Sequence, residues 1–274
     1  MLTLPERPER LDRGNREDAQ LSRSALRVVI VMPALNEAAA VGAQVRAALT
    51  HPALQRLPLA YVIVVDNGSD DDTAVIARAA GAEVVTEPRR GYGRACYAGI
   101  RAAHDADIIL QMDADGSDDL AGAAQLARLV MAGQADLAVG SRTRGRVERG
   151  ALTPQQRAGN AVAALLMRLL CGVRVSDLGP TRAIRRETLL ALDMRELTYG
   201  WSTEMLVKAS RAGLRIAEVP VDYHRRAGGE SKVSGTLAGT LRAGWCILTS
   251  VLRYARWRPA SALRAPSQAE RGCP

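Results

Sequence analysis

Unbroken runs of β-branched and aliphatic residues recur along the first half of the chain, each closed by a turn-forming or acidic residue. Arg27-Val-Val-Ile-Val-Met32 is apolar at consecutive rather than alternate positions, which predicts a strand covered on both faces of a parallel sheet. Pro33 closes it. The alanine-rich stretch from Glu37 to Thr50 predicts a helix, with Asn36 as its cap. Tyr61–Val65 predicts a second buried strand ending at Asp66-Asn-Gly68, and Thr73 to Ala80 a helix stopped by Gly81. A short strand over Glu83–Thr86, a helix from Arg94 to Ala103 and a strand over Asp107–Met112 follow. A helix from Leu120 to Met131 and a strand at Leu137–Val139 complete the alternation. Such an order of strands and helices predicts βαβ units, an α/β fold and a mostly parallel sheet flanked by helices.

The second half is more helical. Helices are predicted over 154–171, 187–193 and 201–211, with a strand over 215–223. From Leu237 to Leu252, leucines and Trp245 recur every three or four residues and predict an amphipathic helix. The polar segment 1–25 reads as a flexible arm, 26–235 as one domain, 236–258 as a helical C-terminal extension and 259–274 as a tail.

At 274 residues, with 47% apolar and 24% charged residues, the chain is large enough for one α/β domain and excludes wholesale disorder. Arg242, three threonines and three glycines interrupt the stretch Val233–Leu252, making it a poor spanning helix. With no hydrophobic leader over the charged N-terminus and four widely spaced cysteines, a reducing cytoplasm is the expected setting. Charge is unevenly spread: residues 1–139 carry a balance of −5 and residues 140–274 one of +13. An acidic half suited to a cation would therefore adjoin a basic half suited to phosphates or an anionic membrane.

Ligands of open parallel sheets bind outside the carboxyl ends of the strands. Four of these ends carry polar clusters: Pro33-Ala-Leu-Asn-Glu37, Asp66-Asn-Gly-Ser-Asp70, Met112-Asp-Ala-Asp115 and Gly140-Ser-Arg142. Asp113 and Asp115, two apart in an extended segment, face one space while Ala114 points away. Taken alone, the acidic loop Asp113–Asp119 reads as a turn. Placed after a buried strand, the fourth in the series, the pair suits Mg²⁺ or Mn²⁺, which takes few protein oxygens plus phosphate. Asp66 reads either as an acceptor for a base or ribose or as a turn former. The Gly91-Tyr-Gly-Arg94 turn has Cys96 where a dinucleotide fingerprint needs its third glycine, which argues against a dehydrogenase, though its backbone can approach a ligand. Arg142, Arg182, Arg226 and Lys232 are guanidinium and ammonium donors suited to phosphate oxygens. Lys232 is also one of two lysines among 37 basic residues.

Together these segments resemble a family-2 glycosyltransferase of GT-A fold, the nucleotide-diphospho-sugar transferase fold. In layout they are nearest the polyprenyl-phosphate and dolichyl-phosphate mannosyl- and glucosyltransferases. The resemblance runs from about Val28 to Gly235. It rests on P-x-x-N-E at Pro33–Glu37, V-V-D-N-G-S-D-D-D-T at Val64–Thr73, D-x-D at Asp113–Asp115, G-S-R at Gly140–Arg142 and R-x-G-G-E-S-K at Arg226–Lys232. It implies that Pro33, Asn36, Glu37 and Asp66 surround the base and ribose of a UDP- or GDP-sugar. Asp113 and Asp115 would bind the diphosphate and its metal, with Ala114, Arg94 and Arg182 in the substrate-binding set. Arg226 and Lys232 would lie on a loop over the donor phosphates, and Arg142 would face the acceptor phosphate. Gly116-Ser-Asp118 stands where mannosyl relatives carry leucine, glutamine and histidine, which tilts the expected donor from GDP-mannose to UDP-glucose.

The expected reaction is an inverting, metal-dependent hexosyl transfer to a polyprenyl-phosphate-type acceptor. A phosphate with a second pKa of roughly 6 needs positive charge rather than a base. For a hydroxyl acceptor, Asp177 or Glu204 is the candidate base, each equally readable as structural. Residues 225–274 hold 9 basic and 2 acidic residues, so the C-terminal helix either lies in the membrane interface on the cytoplasmic face or packs on the core. The alternatives are transfer to a small phosphorylated acid or a cell-surface glycan and, outside enzymes, arginine-driven nucleic-acid binding. No recognised nucleic-acid module is present, and the expectation is no nucleic-acid partner.

Overall fold

The computed structural model describes residues 26–228 and 237–259, with side chains described to 228 and again from 244. The expected arm over 1–25, Lys232 and the tail beyond Pro259 lie outside the described residues. Strands are β1 (Val28–Ala34), β2 (Leu59–Asp66), β3 (Glu83–Thr86), β4 (Ile108–Gln111), β5 (Leu137–Ser141), β6 (Arg182–Arg185) and β7 (Ile216–Pro220). The helices are α1 (Val41–Thr50), α2 (Pro52–Gln55), α3 (Thr73–Ala79), α4 (Tyr92–Ala102) and α5 (Leu120–Met131) in the first half. Then follow α6 (Pro154–Cys171), α7 (Arg186–Ala191), α8 (Trp201–Arg211) and α9 (Leu237–Tyr254).

The sheet runs β3-β2-β1-β4-β6-β5-β7, and every pairing is parallel except those of β6. The unbroken apolar runs are explained by two-sided burial: Val28, Ile30 and Met32 enter the core on one face of the sheet, Val29 and Val31 that on the other. Parallel pairing in register brings carboxyl ends to a common rim, with Ala34 beside Asp66 and Val31 beside Gln111. Met112 N–H extends the β4 ladder to the Val31 carbonyl, so Asp113 emerges beside Pro33.

Two elements differ from expectation. β6 was not anticipated: four residues starting and ending in arginine carry no strand pattern, and β4 and β5 supply its hydrogen bonds from both sides. The first helix begins at Val41 rather than Glu37, and Asn36 does not cap it. Asn36 adopts a left-handed φ of 53°, and its side-chain oxygen accepts the Asp70 N–H at 2.8 Å, tying the β1 and β2 ends together.

α6 starts with a full capping box, Thr153 with Gln156, and ends at left-handed Gly172. α9 lies against α6 and α8. Of the expected stripe on α9, Leu237 and Leu241 lie outside the described side chains, and the remainder divides between two surroundings. Leu248 faces a cavity, while Trp245 and Leu252 are 70% and 65% exposed. Among the described side chains of α9 the buried ones are instead Ser250, Val251 and Tyr254.

Candidate active site

A cavity of about 420 Å³ opens at the rim above β1, β2 and β4. Its floor is Pro33, Ala34 and Glu37 from the end of β1 and Asp113-Ala-Asp115 from the end of β4. Asn67, Arg90, Gly91 and Tyr92 form one side, and Thr198, Tyr199 and Arg226 close it. Asn67 shapes that side: its amide nitrogen donates to the carbonyls of Glu87 and Arg89, each at 2.9 Å, and its oxygen accepts the Gly91 N–H at 2.7 Å. Gly91 needs to be glycine, since its φ is 153° and a Cβ would lie 2.4 Å from the Leu197 carbonyl oxygen.

Negative charge is concentrated here. Asp115 is buried; its Oδ1 accepts from Ser117 N–H at 2.9 Å and Ser117 Oγ at 2.6 Å, and its Oδ2 pairs with Arg226 at 2.8 Å. Arg226 also pairs with Glu37, so one guanidinium bridges the β1 and β4 ends. Asp118, also buried, accepts the Asp113 N–H and the Thr181 hydroxyl, both at 2.7 Å. The Asp113 carboxyl is held well above its ordinary pKa, first by burial and then by the charges of Asp118 and Asp115, with Arg226 and Arg142 pulling the other way. Burial likewise pushes Asp118 up to about 6. Asp113 Oδ1 receives a long 3.5 Å contact from the Tyr92 hydroxyl. A carboxylate this destabilised, at the wall of a cavity and beside a second one, is suited to a divalent cation that completes its shell with phosphate and water. Among the described residues no cluster of three or more His, Cys, Asp or Glu side chains is arranged to hold a metal by itself.

A second cavity of about 450 Å³ lies beyond Asp113 and shares Tyr92, Asp113, Tyr199 and Arg226 with the first. Arg142 and Tyr223 stand at this neck, the guanidinium carbon 5.0 Å from the ring centre. The outer walls are largely apolar, with Leu152, Val162 and Ala163 near and within α6, Leu178, and Ile247 and Leu248 of α9, and with Gln155, Gln156 and Ser202 as polar positions among them. Asn160 adds a polar edge and braces the neighbouring loop, donating to the Ser176 carbonyl at 3.1 Å and accepting the Leu178 N–H at 2.9 Å.

Of the residues expected from the sequence, Pro33, Glu37, Asp113, Ala114, Asp115 and Arg226 line the first cavity and Arg142 the second. Others lie outside the two linings. Asp66 lines neither cavity and instead accepts the Ser69 N–H at 3.2 Å within its own turn, leaving the wall to Asn67. Asn36 is taken up by Ser69 and Asp70. Arg94 contributes its backbone N–H to the Leu197 carbonyl, while Arg90 faces the cavity. Arg182 is 1% exposed, its guanidinium bonded to the carbonyls of Gly179, Pro180 and Ser202. It is a buried cation that lines neither cavity.

Neither candidate base lines either of these two cavities. Both Asp177 oxygens accept from the Arg142 side chain at 2.8 Å. Glu204 is fully buried against Lys208 and the N–H groups of Arg195 and Glu196. Sequence reasoning missed Asn67, Arg90, Tyr92, Tyr223 and the Thr198-Tyr199 pair. Asn67 and Tyr92 stood inside motifs already singled out. Thr198 and Tyr199 follow no motif and arrive from more than eighty residues away along the chain, measured from Asp113.

The fold is that of the GT-A glycosyltransferases. The model of the family described as Glycosyl transferase family 2 matches residues 29–192, and the chain belongs to that family, which makes it a transferase. A protein of Mycobacterium tuberculosis (strain ATCC 25618 / H37Rv) named as an uncharacterized glycosyltransferase is 40% identical over 218 residues, 79% of this chain and 94% of the relative. The undecaprenyl-phosphate mannosyltransferase of Micrococcus luteus is 32% identical over 231 residues, 78% of this chain and 90% of the relative. Among solved structures, glucosyl-3-phosphoglycerate synthase of M. tuberculosis superposes with a TM-score of 0.68 at 23% identity, covering 89% of this chain and 86% of the other. The same enzyme with Mn²⁺, UDP-glucose and phosphoglyceric acid gives 0.66 at 23% identity, covering 93% and 87%.

Proposed function

We propose that this glycosyltransferase moves a hexose, from UDP-glucose in preference to GDP-mannose, onto the phosphate of a polyprenyl-phosphate-type acceptor with inversion at the anomeric carbon. The observation that carries this reading is the meeting of two cavities of unlike character at Asp113. The first, walled by Asn67, the glycine turn and the paired aspartates, suits a nucleoside diphosphate. The second places Arg142 at the neck and aliphatic side chains beyond it, which suits an anionic head on an apolar tail. A relative that acts on undecaprenyl phosphate supports the acceptor class, and a fold neighbour solved with UDP-glucose supports the donor.

Asp113 and Asp115 would hold a divalent cation, which supplies positive charge to the departing diphosphate. Arg226, already on Asp115, adds a second positive group over the same phosphates. Arg142 attracts the acceptor phosphate and orients one of its oxygens toward the sugar. With Asp177 and Glu204 both engaged, the missing base is accounted for: a phosphate largely ionised at neutral pH brings its own nucleophilic oxygen.

The same reading puts the outer faces of α6 and α9 against a membrane. Leu165 and Leu169 on α6 and Trp245 and Leu252 on α9 are more than half exposed, and Arg157, Arg168 and Arg253 are exposed on the same two helices. Aromatic, aliphatic and basic side chains on adjoining helices suit an anionic interface. No helix among the described residues is long and apolar enough to cross a membrane.

The test is incubation of the purified chain and its Asp115→Asn variant with Mn²⁺, radiolabelled UDP-glucose or GDP-mannose, and either undecaprenyl phosphate or 3-phosphoglycerate. Labelled lipid made by the wild type and not by the variant supports the proposal. A labelled water-soluble product from phosphoglycerate moves the acceptor to the small acids. Equal turnover by wild type and variant removes the metal assignment.

A further inference from the structure

The chain's other lysine is buried. Lys208 Nζ lies 2.7 Å from Glu204 Oε1 on α8, and neither side chain has any exposed surface. Removing both charges from water is costly, and such a pair adds little stability over well-packed apolar residues. Its hydrogen bonds show what it holds. The Glu204 carboxylate accepts the N–H of Arg195 at 2.9 Å and of Glu196 at 2.7 Å, two inward-facing donors of the loop joining α7 to α8. Lys208 Nζ donates to the Asp193 carbonyl of the same loop at 2.5 Å. It also lies 5.0 Å from the ring centre of Tyr254 and 5.2 Å from that of Trp257, at the end of α9 and just beyond it.

The loop so held reaches the first cavity. The Leu197 carbonyl accepts the Arg94 N–H at 3.1 Å, and Thr198 and Tyr199 line the wall opposite Asn67. Glu196 and Leu197 press on the glycine turn so closely that a Cβ on Gly93 would sit 2.2 Å from the Glu196 carbonyl oxygen. The Glu196 side chain is paired with Arg253 of α9 at 2.8 Å. Neither Glu204 nor Lys208 lines a cavity. Both are positioning residues.

We propose that the buried Glu204–Lys208 pair fixes the 193–200 loop against the glycine turn and ties it to the end of α9, so that nucleotide affinity depends on how α9 is seated. This rests on the first cavity being the nucleotide site. Since α9 also walls the second cavity through Ile247 and Leu248, the seating of one helix is felt in both cavities. The coupling runs through two charges and two aromatic rings rather than through the sheet.

The experiment measures binding of UDP with Mn²⁺, or of GDP with Mn²⁺ where the wild type does not bind UDP, to the full chain by calorimetry for wild type, Trp257→Ala, Trp257→Phe and Glu204→Gln. Loss of the ring face should raise the UDP Kd about fivefold, with kcat at saturating donor nearly unchanged. Trp257→Phe should restore the Kd to within about twofold, since it keeps a ring face for the ammonium. Glu204→Gln should weaken binding at least as much as Trp257→Ala; if it does not fold, the Trp257 series decides. A purely structural role would lower Tm and leave the UDP Kd of the folded variants where it was. Wild-type binding that Trp257→Ala does not weaken overturns this proposal alone. Failure of the wild type to bind either UDP or GDP overturns the nucleotide reading and this proposal with it.

Discussion

Arg142 grips Asp177 through two parallel hydrogen bonds, Nε to Oδ2 and Nη2 to Oδ1, each 2.8 Å, and its backbone N–H adds a third to Oδ2 at 2.7 Å. Asp177 has no exposed side-chain surface and Arg142 has 16%. Burial alone would lower the pKa of Arg142, but the hydrogen bonds and charge of Asp177 overcome it and hold the guanidinium above its usual value. The carboxylate therefore orients a permanent cation at the neck between the cavities. Asp177→Asn should cost about 3 kcal/mol of stability, as for a buried pair robbed of one charge. It should also lower kcat/KM for the acceptor about a hundredfold while leaving the Kd of UDP with Mn²⁺ unchanged. Acceptor-varied kinetics, denaturant unfolding and calorimetry check the three parts.

The acidic rim makes stability and ligand binding respond to pH in opposite directions. The folded-state pKa of Asp118 is raised from 3.8 to about 6, so in that window the folded, ligand-free chain binds more protons than the unfolded chain. Its contribution to stability is thus full at low pH and lost as pH rises through about 6, at up to about 1.4 kcal/mol per pH unit for one proton. Relative to wild type, Asp118→Asn should gain stability between about pH 4 and pH 6 and level off above that. Asp113, raised in the same direction, must ionise to meet a cation. Binding of UDP with Mn²⁺ should accordingly tighten as pH rises and release protons. Unfolding at several pH values and calorimetry in two buffers of different ionisation heat measure both effects.

Exposed apolar side chains on α6 and α9 give the membrane reading its own test. Leu165, Leu169 and Trp245 are 55%, 70% and 70% exposed. Changing all three to serine should leave Tm within a few degrees and reduce co-sedimentation with anionic liposomes at least about tenfold, given the area each would bury in the interface. Equal binding by the variant, or none by the wild type, would remove these faces from any role at a lipid surface.

Two glycines differ in the room around them. Gly93→Ala drives a Cβ to 2.2 Å from a backbone oxygen of the 193–200 loop. It should destabilise the fold by about 1–3 kcal/mol, as overpacking does, and abolish detectable UDP binding. Gly159, inside α6 and with no atom within 4 Å of its would-be Cβ, is the contrast. Gly159→Ala should stabilise by about 0.5–1 kcal/mol and leave the UDP Kd unchanged. Thermal unfolding with and without UDP and Mn²⁺ reads both.

The limits of the sequence are clearest at three carboxylates. Asp113 could be placed because its neighbours along the chain suffice: a buried strand delivers it to the rim, and the two-residue spacing puts Asp115 on the same side. Asp66 sits in an equally suggestive setting, yet it turns into its own loop and leaves the wall to Asn67, a choice made by which side chain meets Glu87 and Arg89. Asp177 reads as an acid in a turn until Arg142, 35 positions earlier, is seen to occupy both its oxygens.

The amino-acid order by itself determined the parallel strands β1 to β5, the helices between them and the acidic strand ends. Those follow from runs and periodicities spanning a few residues, where apolar side chains either can or cannot be buried together. Only the tertiary structure decided the antiparallel insertion of β6, the partners of the buried charges and the wall made by Thr198 and Tyr199. A four-residue strand borrows its hydrogen bonds from neighbours on both sides, and a buried charge is defined by what surrounds it. Neither is a property of the local sequence.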